Sequence, residues 1–311
     1  MTFIWIIITI FIALLVVALF LPKFREIIKD YQLLYDENEN FENPLDSKED
    51  RIDKLYCKLY DQVFNESNVY LEEVKKIINF MNEHEVPKKK KSPTNYVLEC
   101  GSGTGKHYQY LSTATDYKVM GLDRSKSMEE IFKLRNPLGH ITLGDMRNEN
   151  LFKAETFSFI ICLKDTLYHN TMNDWDTILS NFYFWLKPGG YLIIHVYDRD
   201  KLDPTPRNMS FVRYDPSKRK HSITQFPNFT HDGWWEVKGN TICQYNEIFA
   251  IRGKNNEIEK KRHYKHNLVI PAKGKIMEKI IGNYFKLIDV IRMDKMGLVD
   301  HELCFFKKNK F

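Results

Sequence analysis

Paired cysteines are missing from this chain. Its five cysteines, Cys57, Cys100, Cys162, Cys243 and Cys304, are odd in number, scattered, and nowhere at C-x-x-C spacing. That argues against a disulfide framework and a cysteine-built zinc site, so no metal is expected. Cys100, Cys162 and Cys304 sit in apolar, strand-like runs where free thiols are ordinary core residues. No internal repeat is present. A strong charge of one sign is absent too, since 46 Lys and Arg against 41 Asp and Glu leave a net charge of +5. The basic pieces are local: Lys88 to Lys91, Lys218 to Lys220, Lys260 to Arg262 and Lys307-Lys308. Such runs read as solvated loops, and nucleic-acid contact is the secondary reading.

The N-terminus also lacks something. No Lys or Arg precedes its apolar run and no small-x-small site closes it, which does not suit a cleaved signal peptide. From Phe3 to Leu21 the chain is apolar except for Thr9. A span of about 20 apolar residues crosses the hydrocarbon core. Lys23, Arg25 and Lys29 follow, and a basic flank faces the cytoplasm. Residues 1–22 are therefore expected to be a retained transmembrane helix. The protein would be single-pass, with its C-terminal domain on the cytosolic side. Tyr35 to Pro44 is polar and acidic. Residues 23–46 read as a juxtamembrane linker, and 47–311 as the main domain.

Inside that domain Ile52, Leu55, Tyr56, Leu59, Tyr60 and Val63 recur at helical spacing, and a second helix is expected from about Asn68 to Glu83. Strands and helices then alternate. Strands are expected at 96–100, 118–122, 139–143, 157–163 and 190–197, with helices at 105–112, 126–134 and 173–186. This alternation predicts a parallel sheet covered on both faces. Residues 198–271 break the rhythm with short alternating runs, expected to form an antiparallel β insertion over the sheet. A helix at 273–281 and strands at 285–290 and 302–307 resume the α/β pattern.

Residues 97–105 read Val-Leu-Glu-Cys-Gly-Ser-Gly-Thr-Gly. An apolar run, an acid and three alternate glycines suit a strand-to-helix turn that lets backbone approach a ligand. The nicotinamide fingerprint G-x-G-x-x-G is not met, because Lys106 holds the place of its third glycine. The stretch resembles the cofactor loop of class I S-adenosylmethionine-dependent methyltransferases. The resemblance implies a Rossmann-like seven-stranded sheet with an antiparallel last strand, and S-adenosylmethionine as cofactor. It gives Glu99, Gly101, Gly103 and Gly105 the loop and the cofactor's methionine end.

Asp123 closes the next strand, at roughly the 20-residue spacing where dinucleotide-type folds place the acid for ribose hydroxyls. Asp145 and Met146 follow the third strand, the first an acceptor for the adenine amine and the second an apolar lid. Local turn or helix-cap roles for Asp123 and Asp145 are the alternative. Leu186-Lys187-Pro188-Gly189-Gly190 resembles the family's turn into its fifth strand. Tyr56-x-x-x-Tyr60-Asp61 resembles its helical lead-in, with core packing the alternative.

The sulfonium already activates the methyl group, so the protein's task is alignment, plus a base where the nucleophile carries a proton. His169 is the first candidate for that base and Tyr168 stands beside it; structural places are the alternative. His195 reads as a core or wall residue. Trp234, Trp235, Tyr264 and His266 are candidates for the wall of an acceptor pocket or for packing. Asp165-Thr166-Leu167-Tyr168 lacks both prolines of the Asp-Pro-Pro-Tyr pattern found in enzymes that methylate base amino groups. The leading expectation is a membrane-anchored methyltransferase for a small-molecule or lipid-associated acceptor. An RNA or protein methyltransferase, and a non-catalytic cofactor-binding scaffold, are the alternatives.

Overall fold

The computed structural model describes residues 40–43, 52–64, 67–84, 86, 95–199, 221–239, 241–253, 255–282, 284–294 and 301–310. The expected transmembrane segment at 1–22 lies outside them. Among the described residues no helix is long and apolar enough to cross a membrane.

The chain begins with β1 (Asn40–Asn43), α1 (Lys54–Val63), α2 (Ser67–Glu83), β2 (Tyr96–Cys100) and α3 (Lys106–Ala114). Next come β3 (Lys118–Asp123), α4 (Lys126–Arg135), β4 (Ile141–Leu143), β5 (Phe157–Cys162), α5 (Met172–Trp185) and β6 (Leu186–Tyr197). β7 (His221–Gln225), β8 (Phe229–Val237), β9 (Ile242–Arg252) and β10 (Ile258–Val269) follow. The last elements are α6 (Lys273–Ile281), β11 (Phe285–Arg292) and β12 (His301–Lys308).

Seven strands form one sheet in the order β11-β12-β6-β5-β2-β3-β4. Neighbours from β6 to β4 pair in parallel, while β12 is antiparallel to both β6 and β11. The expected sheet, with its last strand reversed, is therefore present. Every residue of β5 is buried, because helices cover both faces. Alternate residues serve the two sides. Leu98, Ile160, Leu192 and Ile194 pack with Trp175, Ile178, Phe182 and Trp185 of α5 and Ile276 and Ile280 of α6. Val97, Phe159, Ile161 and Ile193 pack with Val74, Ile77 and Phe80 of α2, Leu111 of α3 and Phe132 of α4. This two-residue period fixes the register, since a slip by one would exchange the two cores.

Helix starts follow local chemistry. Ser125 accepts from Met128 N at the start of α4, and Thr171 with Asp174 forms a capping box on α5. Asp53 caps α1, which starts at Lys54 rather than at the expected Ser47; residues 47–51 lie outside the described ones. β6 starts at Leu186 rather than Gly190. Its first residues bulge, so that Phe157 pairs with Leu186 and Phe159 with Tyr191, and Gly189 takes a φ of 75°.

The insertion forms a second sheet, ordered β1-β10-β9-β8-β7. Strands β7 to β10 are antiparallel neighbours, as expected. β1 was not expected. It lies inside the stretch read as linker and pairs in parallel with β10, from Asn40 opposite His263 to Asn43 opposite His266. Four residues reading Asn-Phe-Glu-Asn carry no apolar alternation. An edge strand of this kind is set by the backbone groups of its neighbour, which a sequence pattern does not register.

Candidate cofactor and acceptor site

The glycine loop runs from the end of β2 into α3. Gly101, Gly103 and Gly105 have φ of 69°, 52° and 79°, a left-handed region open to glycine. A Cβ on Gly101 would stand 2.2 Å from Thr166 Oγ1, and one on Gly105 would stand 2.4 Å from Asn136 Nδ2. A Cβ on Gly103 would meet nothing within 4 Å. Two glycines thus answer to protein neighbours, and the middle one faces open space. Helix α1 is fastened to the same loop. Asp61 accepts from Thr104 Oγ1 at 2.8 Å and pairs with Arg135, whose guanidinium also donates to Thr104 O at 2.6 Å.

Glu99 is 2% exposed, and its Oε2 is buried without a hydrogen-bond partner. Burial, with a smaller contribution from the charge of Asp123, pushes its carboxyl up to about 8. An ammonium group placed against Oε2 would supply the missing partner. Asp123 stands at the tip of β3, where its Oδ2 accepts from Gly103 N at 2.7 Å and its Oδ1 from Ser125 N at 2.8 Å. Ribose hydroxyls would be received on these same two oxygens, since a carboxylate oxygen carries two lone pairs. The local role weighed for Asp123 is therefore real, and it orients the carboxylate. The donor set fits S-adenosylmethionine: a buried carboxyl with an unpartnered oxygen, a glycine facing open space, and an acid at the next strand tip.

Asp145 departs from expectation. Arg147, two residues on, donates from Nε at 3.0 Å to both carboxylate oxygens and from Nη2 at 2.5 Å to Oδ2. Burial opposes the charge of Asp145, yet the bonds from Arg147 outweigh it and hold the carboxyl below its usual range. Capacity for an adenine amine on Asp145 is thus shared with Arg147, which sequence reasoning missed. Met146 is half-buried against the α5 side of the core, and its carbonyl accepts from Asn181 Nδ2 at 2.9 Å.

Beyond the tip of β5 the chain turns through Lys164, whose φ of 53° is unusual for a side chain of that size. Thr166 of this turn is the neighbour that Gly101 admits, so the turn rests on the cofactor loop. Within it His169 Nε2 lies 3.2 Å from Asp165 Oδ2. Both keep access to solvent, with side chains 25% and 42% exposed. Burial opposes ionisation of Asp165, but the hydrogen bond and charge of His169 prevail and hold its carboxyl at about 2. An ionised Asp165 can only accept, so His169 donates to it from Nε2.

Tyr168 is displaced from the place expected for it. It is fully buried, donates to His195 O at 3.0 Å, accepts from Tyr197 N at 3.0 Å and stacks on Tyr197. Helical geometry turns adjacent residues of the Leu167–His169 turn to different sides, and only His169 faces out. His195 is also fully buried and accepts from Lys164 N at its Nδ1, 3.0 Å away, which matches its reading as a core residue.

The inner face of the second sheet lies opposite this turn. Residues paired across β8, β9 and β10 share a face, which puts His231, Trp235, Tyr245, Glu247, Tyr264 and His266 together. Glu247, fully buried, accepts from Tyr56 Oη at 2.9 Å and faces His231 Nε2 at 2.8 Å and His266 Nε2 at 3.0 Å. Burial disfavours its charge, but the bonds to the two histidines dominate and bring its carboxyl to about 2. The rings of His266 and His169 are 6.2 Å apart, and Tyr245 and Trp235 continue the aromatic wall. Trp234 faces the other side, with His263, because adjacent strand residues point oppositely. Tyr60 of α1 reaches the same space. Burial, then the charges of Tyr70 and Asp165, raise its hydroxyl well above the ordinary tyrosine value.

Residues 97–190 match the methyltransferase domain family. Phosphoethanolamine N-methyltransferase of Triticum aestivum is 25% identical over 185 residues, covering 57% of this chain and 34% of that protein. A dTDP-4-amino-2,3,4,6-tetradeoxy-D-glucose N,N-dimethyltransferase of Saccharopolyspora spinosa is 36% identical over 99 residues, which is 32% of this chain and 39% of that one. The chain thus spans about a third of the length of the curated relatives it matches. Among solved structures, S-adenosylmethionine-bound CalS10, an amino pentose methyltransferase of Micromonospora echinaspora, aligns with a TM-score of 0.58 at 15% identity. That alignment covers 77% of this chain and 92% of CalS10, a likeness of fold. Residues 97–190 thus carry the sequence match to a methyltransferase domain, and the strand order around them is shared with that fold.

Proposed function

We propose that this protein transfers a methyl group from S-adenosylmethionine to an amine on a small-molecule or lipid-associated acceptor, and that its N-terminal apolar run anchors it to a membrane with the active domain on the cytosolic side. The observation that carries the activity is the seating of the Asp165–His169 pair. The turn that bears it packs on Gly101, so a base stands beside the cofactor loop and opposite the aromatic face of the second sheet. The names of the two curated relatives support an amine acceptor, since both are N-methyltransferases. The anchor rests on the sequence alone: a long apolar run followed by Lys23, Arg25 and Lys29.

When bound, the cofactor supplies a methyl group already activated on a sulfonium. Glu99 would hold its ammonium, Asp123 its ribose, and Asp145 with Met146 its adenine end. An amine acceptor is protonated at neutral pH and must lose a proton before its lone pair can attack. His169 Nδ1 takes that proton, while Asp165, ionised, steadies the imidazolium through Nε2. Trp235, Tyr245 and His266 wall off the acceptor and exclude water. Tyr168 supports this site from beneath by bracing the strand tip.

Labelled methyl donor tests the reading, with phosphoethanolamine, amino sugars and amine-headed lipids offered beside RNA and protein. Label in an amine-bearing small molecule or lipid is expected, with kcat lowered about 10²- to 10⁴-fold in His169→Ala and cofactor affinity unchanged. Label confined to RNA or protein would contradict it.

A further inference from the structure

Behind the glycine loop lies a second cluster of charged groups that the proposed reaction does not use. Glu73 of α2 is fully buried and stands 2.6 Å from His107 Nε2, 3.0 Å from Lys164 Nζ and 3.7 Å from His195 Nε2. Lys164, His195 and His107 together hold the Glu73 carboxyl well below its usual range, against the effect of burial. An ionised carboxylate is acceptor-only, so His107 donates to it from Nε2 and keeps its lone pair on Nδ1. That Nδ1 lies 3.9 Å from Glu99 Oε1. His107 therefore stands between two buried carboxylates, one ionised and bonded to it, the other facing its open nitrogen.

Glu99 Oε2 is buried without a partner, and burial keeps its carboxyl protonated at neutral pH. A protonated carboxyl is the wrong form for binding an ammonium group. Something must accept its proton when the cofactor arrives. Among the described residues, the titratable groups around Glu99 are Asp123 from β3, the thiols of Cys100 on β2 and Cys162 on β5, both raised by burial, and His107 from α3, with Glu73, Lys164 and His195 in the layer behind. Asp123 is an anion already engaged by two backbone N–H groups, and burial raises the Cys162 thiol to about 12. Among the described residues directly beside Glu99, His107 is the one that presents a basic nitrogen, Lys164 and His195 lying behind it on Glu73.

We infer that His107, held by Glu73, is a positioning residue for cofactor binding: Glu99 gives its proton to His107 Nδ1 as an ammonium group arrives, so that one imidazolium then bridges two carboxylates. The proton balance is closed. Glu99 loses one proton, His107 gains it, the imidazolium lies between Glu73 and Glu99, and the ammonium stays charged. Burial, followed by opposing bonds to Glu73, leaves His107 below its ordinary value before this transfer, which suits a group that is neutral at rest. The inference rests on the proposed cofactor and adds a requirement that the glycine loop alone does not impose.

Calorimetry with S-adenosylhomocysteine, run at pH 7 in buffers of different ionisation enthalpy, counts the protons released on binding. Methylthioadenosine, which has the same nucleoside but no ammonium group, is the control ligand. The full-length protein should release well under half a proton with either ligand. His107→Gln should bind S-adenosylhomocysteine at least tenfold more weakly and release about one proton, the fraction carried by a carboxyl near 8. Its affinity for methylthioadenosine should be unchanged, which shows that the loop is folded. Glu73→Gln should weaken S-adenosylhomocysteine in the same selective way. Equal losses for both ligands, or an unchanged proton count in His107→Gln, would overturn the inference. Absence of S-adenosylhomocysteine binding in the unaltered protein would instead defeat the cofactor assignment itself.

Discussion

Gly101 and Gly103 share a positive φ but not a neighbourhood. A methyl group on Gly101 collides with Thr166, whereas one on Gly103 enters open space. Gly101→Ala is therefore expected to lower the melting temperature and disturb the His169 turn. Gly103→Ala should cost the fold only the left-handed strain, about 1–2 kcal/mol, while cofactor affinity falls at least tenfold. Thermal melts with and without S-adenosylhomocysteine separate the two. The shifted carboxyls, two buried and Asp165 partly exposed, carry opposite signs of pH dependence. Asp165 and Glu247 lie at about 2 in the fold, below an ordinary value near 4. Their stabilisation is present above pH 4 and is lost as pH falls toward 2. Glu99 is raised to about 8, so its contribution is complete below its ordinary value and is lost as pH rises through 8. Glu99→Gln should melt higher than the parent at pH 9 without ligand and bind S-adenosylhomocysteine weakly at pH 7. Equal melting of the two proteins at pH 9 would contradict the burial argument.

At the scale of elements, α1 is bolted to the glycine loop by Asp61, Thr104 and Arg135, and to the second sheet by Tyr56 on Glu247 and Tyr264 on Asp53. It thus ties the glycine loop to the inner face of the second sheet. Asp61→Asn should speed amide exchange in α1 and loosen cofactor binding by several-fold, with the sheet cores unaffected. What the sequence made legible follows from how local each signal is. Alternate glycines, a strand ending in an acid, and apolar runs in β2, β5 and β6 are short-range patterns that stand where expected, though the strand β6 begins before its run. The contacts that escaped are long-range or set by partners. Glu73 meets His107 across a helix pair, β1 is defined by the backbone of β10, and Tyr168 differs from His169 only in which way a single turn points. Arg147 is close in sequence to Asp145, yet nothing in the spacing says that its guanidinium folds back.

For the whole molecule, the seven-stranded sheet carries the glycine loop, and the second sheet turns a face of aromatic and histidine side chains toward the Leu167–His169 turn. The N-terminal run would hold this assembly beside a membrane-bound acceptor and raise its local concentration. Full-length protein is expected in the membrane fraction after alkaline extraction, and a variant lacking residues 1–22 in the supernatant. Recovery of both in the supernatant would remove the anchor from the account. Ligand binding should also stabilise the fold, by about 2.7 kcal/mol at a hundredfold excess of ligand over Kd.

The cofactor assignment is tested most directly by titrating the full-length protein with S-adenosylmethionine, S-adenosylhomocysteine and NAD, beside Asp123→Ala. Micromolar binding of the first two, its loss for both in the variant, and none of NAD are expected. A folded protein that binds neither methyl-donor ligand, or binds NAD as well as they do, would contradict it.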